Sequence, residues 1–464
     1  MRIKSLSRIA AVLAVVLLVA LPTFAARGTA DFTRFVALGD SYGAGVESGS
    51  LNVNHQPFSW PAIIARQAGA PDFQQPLVSF PGIGAELQIV DILSFPPNIQ
   101  PAPGGGQPIN SSLPRPFNNL SIPGAQVGDL TTLTGKEPVT STASAFAQFI
   151  LRGRGTEVQQ AVAQNPTFIA LWIGGNDVLG GALAGTPKTL TSVDSFRTAY
   201  TKMLDQLIAG APNAGIIVGN LPTVSIPILS TVPALLINPV TQQPVLLPNG
   251  APIQLLGDPG DGNPVSLPLG TTVLLPCAAQ ISTGVGIPAF LKADPRFASL
   301  PNIGKPLPDA CTLTPAETAQ IVQRTNDFNQ IISDAAGSRN IPVADIKGLF
   351  DRFAVGVHVG PFAFNSSFIT GGLFSLDGLH LTDIGYTLFA NQYLRTINSS
   401  FGTHIPLASI ATLMANNGAF FPEQHLTSGN VFIDGMQYAI SEEAAKLMLQ
   451  FARVPEVKHR AIAH

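Results

Sequence analysis

Four short segments of this chain read as strands with no polar face. Arg34–Leu38, Thr167–Ile173, Gly215–Gly219 and Ile341–Ile346 are dominated by Val, Ile, Leu, Ala and Phe rather than alternating apolar with polar residues. A strand that is apolar on both sides must be covered on both sides. That is the condition of a parallel sheet between helices. The intervening sequence supplies the helices. Ser141–Leu151 and Thr156–Gln164 precede the second strand, and Asn165-Pro166 stops the latter because proline disfavours helix at the residue before it. Val193–Ala209 gathers Phe196, Tyr200, Met203, Leu204 and Leu207 on one side. Pro315–Ala336 and Thr382–Asn398 read as two further helices. This alternation predicts an α/β protein with a three-layer α/β/α arrangement around a central parallel sheet. Ligands of such sheets gather at the C-terminal strand ends, where Ser41, Gly174–Asp177 and Asn220 fall.

Two stretches break the rhythm. Between Thr223 and Leu291 the only charged residues are Asp258 and Asp261. A stretch so apolar is not a disordered linker. It predicts an insertion, residues 223–310, packed against the main domain, either as a wall or lid beside the strand ends or as a cover of the sheet away from them or a dimer contact. The main domain is expected over 26–400. A C-terminal extension, 401–464, carries a segment, Ser441–Ala452, that reads as a helix capped by Ser441, with Glu442 and Glu443 in its first turn.

The N-terminus has the pattern of a signal peptide, residues 1–25. Arg2, Lys4 and Arg8 precede an apolar run of about 13 residues, Ile9 to Leu21, and Thr23-Phe24-Ala25 offers a cleavage site. The run is short of the roughly 20 residues that span a bilayer. A secreted or periplasmic protein is expected. In that setting the two cysteines, Cys277 and Cys311, most simply form a disulfide, with two free thiols as the alternative. A net charge of -3 with 11% charged residues excludes an electrostatic nucleic-acid binder.

The chemistry lies at the two ends of the domain. Gly39-Asp40-Ser41 follows the first strand, and Asp377-Gly-Leu-His380 precedes the last helix. An alcohol nucleophile needs a base, and the base needs an orienting carboxylate. Between them lie Asn119-Leu-Ser-Ile-Pro-Gly124 and Gly174-Gly175-Asn176-Asp177. In this order the four blocks resemble those of the GDSL esterase and lipase family, the SGNH hydrolases. The resemblance covers roughly Phe32 to Ser400. It implies the flavodoxin-like strand order of that family and hydrolysis of carboxylic esters through an acyl-enzyme. It also implies Ser41 as nucleophile, His380 as base, Asp377 as its orienting acid, and an oxyanion hole from the N–H groups of Ser41 and Gly124 and the amide of Asn176. Tyr42 stands where the family has Leu. No cofactor or metal is implied. The substrate would be a small-molecule or lipid ester, with peripheral lipid contact in the second case.

Other readings compete. Gly39-Asp40-Ser41-Tyr42-Gly43 also fits the Gly-x-Ser-x-Gly elbow of α/β-hydrolases. Only about 15 residues would precede Ser41 after cleavage, too few for the strands that come first in that fold. A catalytically silent exported binding protein on the same fold predicts a broken triad, whereas every position is intact. A carbohydrate acetyl esterase uses the same residues. The remaining histidines, His55, His358, His404, His425, His459 and His464, are expected at surface or structural positions.

Overall fold

The computed structural model describes residues 26–92, 97–223, 225–238, 241, 243–258, 263–359, 362–416, 429–433 and 436–440. Both the 1–25 segment and Ser441–Ala452 lie outside the described residues.

The central sheet has four parallel strands in the spatial order β1 (Phe35–Gly39), β2 (Phe168–Trp172), β3 (Gly215–Gly219) and β4 (Val343–Ala344). Phe35 pairs with Phe168, Phe168 with Gly215, and Val218 with Val343. Every residue of β1, β2 and β3 is buried, as their unbroken apolar character requires. On the open edge of β1 the segment 118–122 runs parallel to it. Ala37 N donates to Asn118 O at 2.8 Å, and the amides of Leu120 and Ile122 donate to Ala37 O and Gly39 O, each at 2.9 Å. This segment follows β1 in the chain and precedes β2. Counted with the four strands it gives the order 2-1-3-4-5, the flavodoxin-like arrangement.

Most of the long helices begin at a side-chain cap. After β1 comes the single turn α1 (Ser41–Ala44), then α2 (Trp60–Ala68), α3 (Thr142–Ile150) and α4 (Glu157–Ala163). Following β2 are α5 (Gly175–Leu183) and α6 (Val193–Gly210), and later α7 (Pro315–Gly337), α8 (Ile346–Val355) and α9 (Asp383–Phe401). Ser141, Thr156 and Thr314 each close a capping box with the residue three positions on. The helices pack in two groups. Trp60 of α2 stacks on Tyr393 of α9 with centroids 4.7 Å apart, and Tyr393 Oη donates to Leu171 O of β2 at 2.8 Å. Phe196 of α6 stacks on Phe328 of α7 at 3.8 Å.

Two local differences from the sequence reading have simple causes. The strand expected over Ile341–Ile346 shrinks to two residues, because Asp345 accepts from Gly348 N and starts α8 at Ile346. Helix α2 lies in a region read as loop, although Pro61 in its first turn is a regular start signal. The packed unit also continues past residue 400. Asn391 holds Ala408 by a pair of hydrogen bonds, each 2.8–2.9 Å, and Ile410 and Leu413 are buried in the main core. No helix of the described residues is long and apolar enough to cross a membrane.

The insertion builds a second, smaller core from Leu236, Ile253, Leu255, Leu267, Val273, Ile287 and Leu307, separate from the main one. Its strands are two or three residues long, so their ladders alone give it little rigidity. Cys277 and Cys311 are joined with S–S 2.03 Å, closing a span of 34 residues at its C-terminal side. A loop of that length should contribute about 3–4 kcal/mol by limiting the unfolded chain. Replacing both cysteines by serine is therefore expected to lower the urea midpoint and speed proteolysis within 278–310. An unchanged midpoint would show that the link adds nothing to stability.

Candidate active site

The strand order creates the site. The chain leaves β1 for segment 118–122 on one side, then crosses to β2 on the other, so a crevice opens at the C-terminal ends of β1 and β2. Ser41 begins α1 directly after β1, and Asn176 lies in the first turn of α5 directly after β2. The backbone at Gly39 has no room for a side chain: a Cβ there would collide with the Trp172 carbonyl oxygen. Asp40 caps α1 by accepting from Tyr42 N at 3.0 Å. As the first residue of α1, Ser41 has an amide with no partner inside that helix.

His380 arrives from the far end of the chain. The neighbour of Ser41, Tyr42, donates through its hydroxyl to Leu379 O at 2.6 Å, and its ring lies 5.6 Å from the His380 imidazole. His380 Nδ1 is 2.6 Å from Asp377 Oδ2. Nε2 is buried and has no hydrogen-bond partner, Ser41 Oγ included. Such contacts commonly tighten only when substrate is bound.

Asp377 is surrounded by donors. Oδ2 also accepts from Gly49 N at 2.7 Å, and Oδ1 from the amides of Leu379 and His380, both at 2.8 Å. Ser375 Oγ donates to Oδ1 at 3.2 Å. Burial pushes this carboxyl up, but the charge and hydrogen bond of His380 and the backbone donors outweigh it and bring its pKa to about 2.

The third and fourth blocks meet here too. Asn176 Nδ2 donates to Ala125 O at 2.9 Å, which fixes the amide plane beside Gly124. Gly124 has φ +83°, a left-handed conformation that suits glycine, and among the described residues no group accepts from its N–H. Asp177 accepts from Val127 N at 3.0 Å and ties the two blocks together. Burial raises Asp177 to about 6 and Asp40 to about 8; at Asp40 the nearby Asp177 adds to the effect. Ser41, Trp172, Asn176, Leu179, Ile226 and Leu229 line one pocket of about 60 Å³.

Of the residues proposed from the sequence, Ser41 and Asn176 line one pocket, Gly124 adjoins the carbonyl that holds the Asn176 amide, and the Asp377–His380 pair is linked to the turn of Ser41 through Tyr42. His358 and His404 are exposed and away from this pocket. Two participants were not foreseen. Tyr42 clasps the His380 loop. His55 is buried, and with Glu47 and Asp383 it forms the one grouping of potential metal ligands among the described residues, its ligand atoms all within 4.8 Å of one another. Tyr42 lies beside Ser41 in the first block, where only its departure from Leu marked it, and His55 carries no local motif.

Over residues 35–393 the sequence matches the family described as GDSL-like Lipase/Acylhydrolase. The chain belongs to that family, a class of carboxylic ester hydrolases. No curated protein matches it. Among solved structures it is similar to a family 3 carbohydrate esterase of Clostridium thermocellum, with 13% identity, 79% of this chain and 96% of the other covered, and a TM-score of 0.32. It is similar also to an acetyl xylan esterase of Geobacillus stearothermophilus, with 13% identity, coverage of 80% and 96%, and a TM-score of 0.35. An extracellular lipase of Streptomyces rimosus gives 15%, 79% and 99%, with a TM-score of 0.33.

The depressed Asp377 carboxyl has a consequence for stability. Its contribution is present above the ordinary carboxylate pKa of 3.8 and lost as pH falls through about 2. That shift corresponds to about 2–3 kcal/mol. Asp377→Asn should therefore flatten the acid limb of stability between about pH 4 and pH 2 in urea titrations. An unaltered acid limb would mean that the donors around Asp377 do not hold its charge.

Proposed function

We propose that this protein hydrolyses esters through an acyl-enzyme on Ser41, with His380 as base and Asp377 as its orienting acid. The observation that carries this reading is the buried, unpartnered Nε2 of His380. Its other ring nitrogen is committed to Asp377, and its ring packs on the residue next to Ser41. With Nδ1 donating to Asp377, Nε2 is the acceptor. It takes the Ser41 proton as Oγ bonds to the ester carbonyl carbon. The carbonyl oxygen becomes an oxyanion met by the N–H groups of Ser41 and Gly124 and by the Asn176 amide. Collapse of the intermediate expels the alcohol, which takes the proton from Nε2. Water then attacks the acyl group by the same route and releases the acid.

The pocket suggests the acyl group. Its walls are mostly apolar, and 60 Å³ holds about four to six water-sized groups. A short apolar acyl chain fits, and so does acetate, which keeps acetylated sugars in view beside simple short-chain esters. Thr223, Ile226 and Leu229, at the root of the insertion, supply one wall. Export is part of the proposal, supported by the N-terminal charge and apolar pattern and by the disulfide.

Ser41→Ala should abolish hydrolysis of nitrophenyl esters without unfolding the protein, and a fluorophosphonate should label Ser41. Labelling elsewhere, or residual activity at the wild-type level, would sink the assignment. Asn176→Ala should lower kcat by about 10²–10³ and leave KM nearly unchanged. A pure KM effect would make Asn176 a substrate-binding residue instead. With Ile226 and Leu229 both replaced by Ala, the chain-length optimum should move to longer acyl groups while acetate turnover survives. An unmoved optimum would remove the insertion from the pocket wall.

A further inference from the structure

We propose that His55 is a positioning residue for ester hydrolysis. As an imidazolium held between three buried carboxylates, it fixes the turn that delivers the Gly49 N–H to Asp377. The proposal rests on the reading of Ser41, His380 and Asp377 given above.

The argument starts from donors and acceptors. His55 is 2% exposed, Glu47 and Glu86 0%, and Asp383 5%. Nδ1 lies 3.2 Å from Glu47 Oε2 and 3.4 Å from Asp383 Oδ1, and Nε2 lies 3.3 Å from Glu86 Oε1. A neutral imidazole has one donor; only the imidazolium gives one to each side. Burial opposes the charge, but Glu47 and Asp383 outweigh it and hold the His55 pKa well above its ordinary value of 6.5.

The partners of His55 are the segments that frame the site. Glu47 opens a turn closed by the Glu47 and Ser50 amides, each bonded to the other residue's carbonyl at 2.9–3.0 Å. Within that turn Gly49 N reaches Asp377 Oδ2, and Ser48 N donates to Ser375 Oγ at 2.8 Å. Oδ2 is also the oxygen that pairs with His380. Asp383 is the first residue of α9, three positions after His380, and its charge suits a helix N-terminus. Glu86 belongs to the loop before the strand Leu87–Asp91 and is held by Asn52 Nδ2 at 2.7 Å. Tyr386 of α9 completes the surroundings by donating to Val46 O at 2.6 Å. One cation thus ties the chain just after Ser41 to the chain just after His380. If it is lost, Glu47, Glu86 and Asp383 lose the ring that joins them, the turn relaxes, and Oδ2 loses a donor.

The test compares wild type, His55→Gln, and His55→Gln combined with Glu47→Gln, using a nitrophenyl ester at saturation. His55→Gln should lower kcat by about 10²-fold, the scale of a small misplacement of reacting groups, with little change in KM. Removing the Glu47 charge in the same chain should restore about tenfold, because it removes a buried carboxylate that has lost its His55 contact. A merely structural role would lower the melting temperature without this rescue. In the wild type, kcat should hold through neutral pH and fall reversibly as pH rises through the folded His55 pKa. The His55 ring resonance should titrate over the same range. This alkaline step should be missing from His55→Gln. If that variant does not fold, the wild-type profile decides: an alkaline range without a kcat step coincident with His55 titration overturns the proposal. So does a folded His55→Gln with unaltered kcat. Failure of the underlying triad reading would show separately, as activity retained in Ser41→Ala.

Discussion

Asp377 is the point at which the two ends of this chain meet. Its two oxygens accept from Gly49, Ser375, Leu379 and His380, so a single carboxylate organises both the turn that follows Ser41 and the His380 ring. A carboxylate with several backbone donors is held ionised even when buried, and an ionised Asp377 fixes the proton on Nδ1 of His380. Nε2 is thereby left as an acceptor. The arrangement works only if Gly49 and His380 approach from opposite sides. That approach depends on the sheet placing β1 at its inner crossing point and on α9 folding back over α2.

The sheet supplies the rigid part of this geometry. Its strands contribute no catalytic atom, yet their ends set where α1 and α5 begin. Ser41 and Asn176 stand at the first turns of those two helices, and segment 118–122 brings Gly124 to the same edge. Ser41, Gly124 and Asn176 are therefore held by elements that cannot shift independently of the core. The helices add support from their own side. Tyr393 bonds to the β2 backbone and Tyr42 to the His380 loop. Tyr42 stands where the family's block has Leu, and its hydroxyl adds a tether to the packing of its ring.

The sequence carried most of this because its signals are local. A strand that is apolar on every residue can only be central, and glycine after it marks a turn. A carboxylate three residues before a histidine reads as a bonded pair. The order of blocks then gave the site. What stayed hidden was non-local. His55 has no motif around it, and its meaning comes from Glu47, Glu86 and Asp383, which only the fold assembles. Segment 118–122 could not be read as a strand because its pairing is confined to one side and interrupted at Pro123. Strand β4 was read too long because the cap at Asp345 competes for the same residues. Helix α2 was obscured by the Pro- and Gly-rich loops on either side.

The insertion follows a different logic from the domain that carries it. A stretch with so few charges must bury itself, and it does so largely within its own small core rather than over the sheet. Its coupling to the site is narrow. Ile228 N donates to Gly378 O at 2.8 Å, and a side chain at Gly378 would press on Leu275 and Ile228. Gly378 sits between Asp377 and His380, with φ +68°. The insertion therefore meets the Asp377–His380 loop at a residue with no side chain to resist it. The pocket wall and this loop contact come from neighbouring residues at its root, Ile226, Ile228 and Leu229, while the rest of the insertion packs in its own disulfide-closed core. A change of pocket shape at that root would therefore reach the loop that carries Asp377.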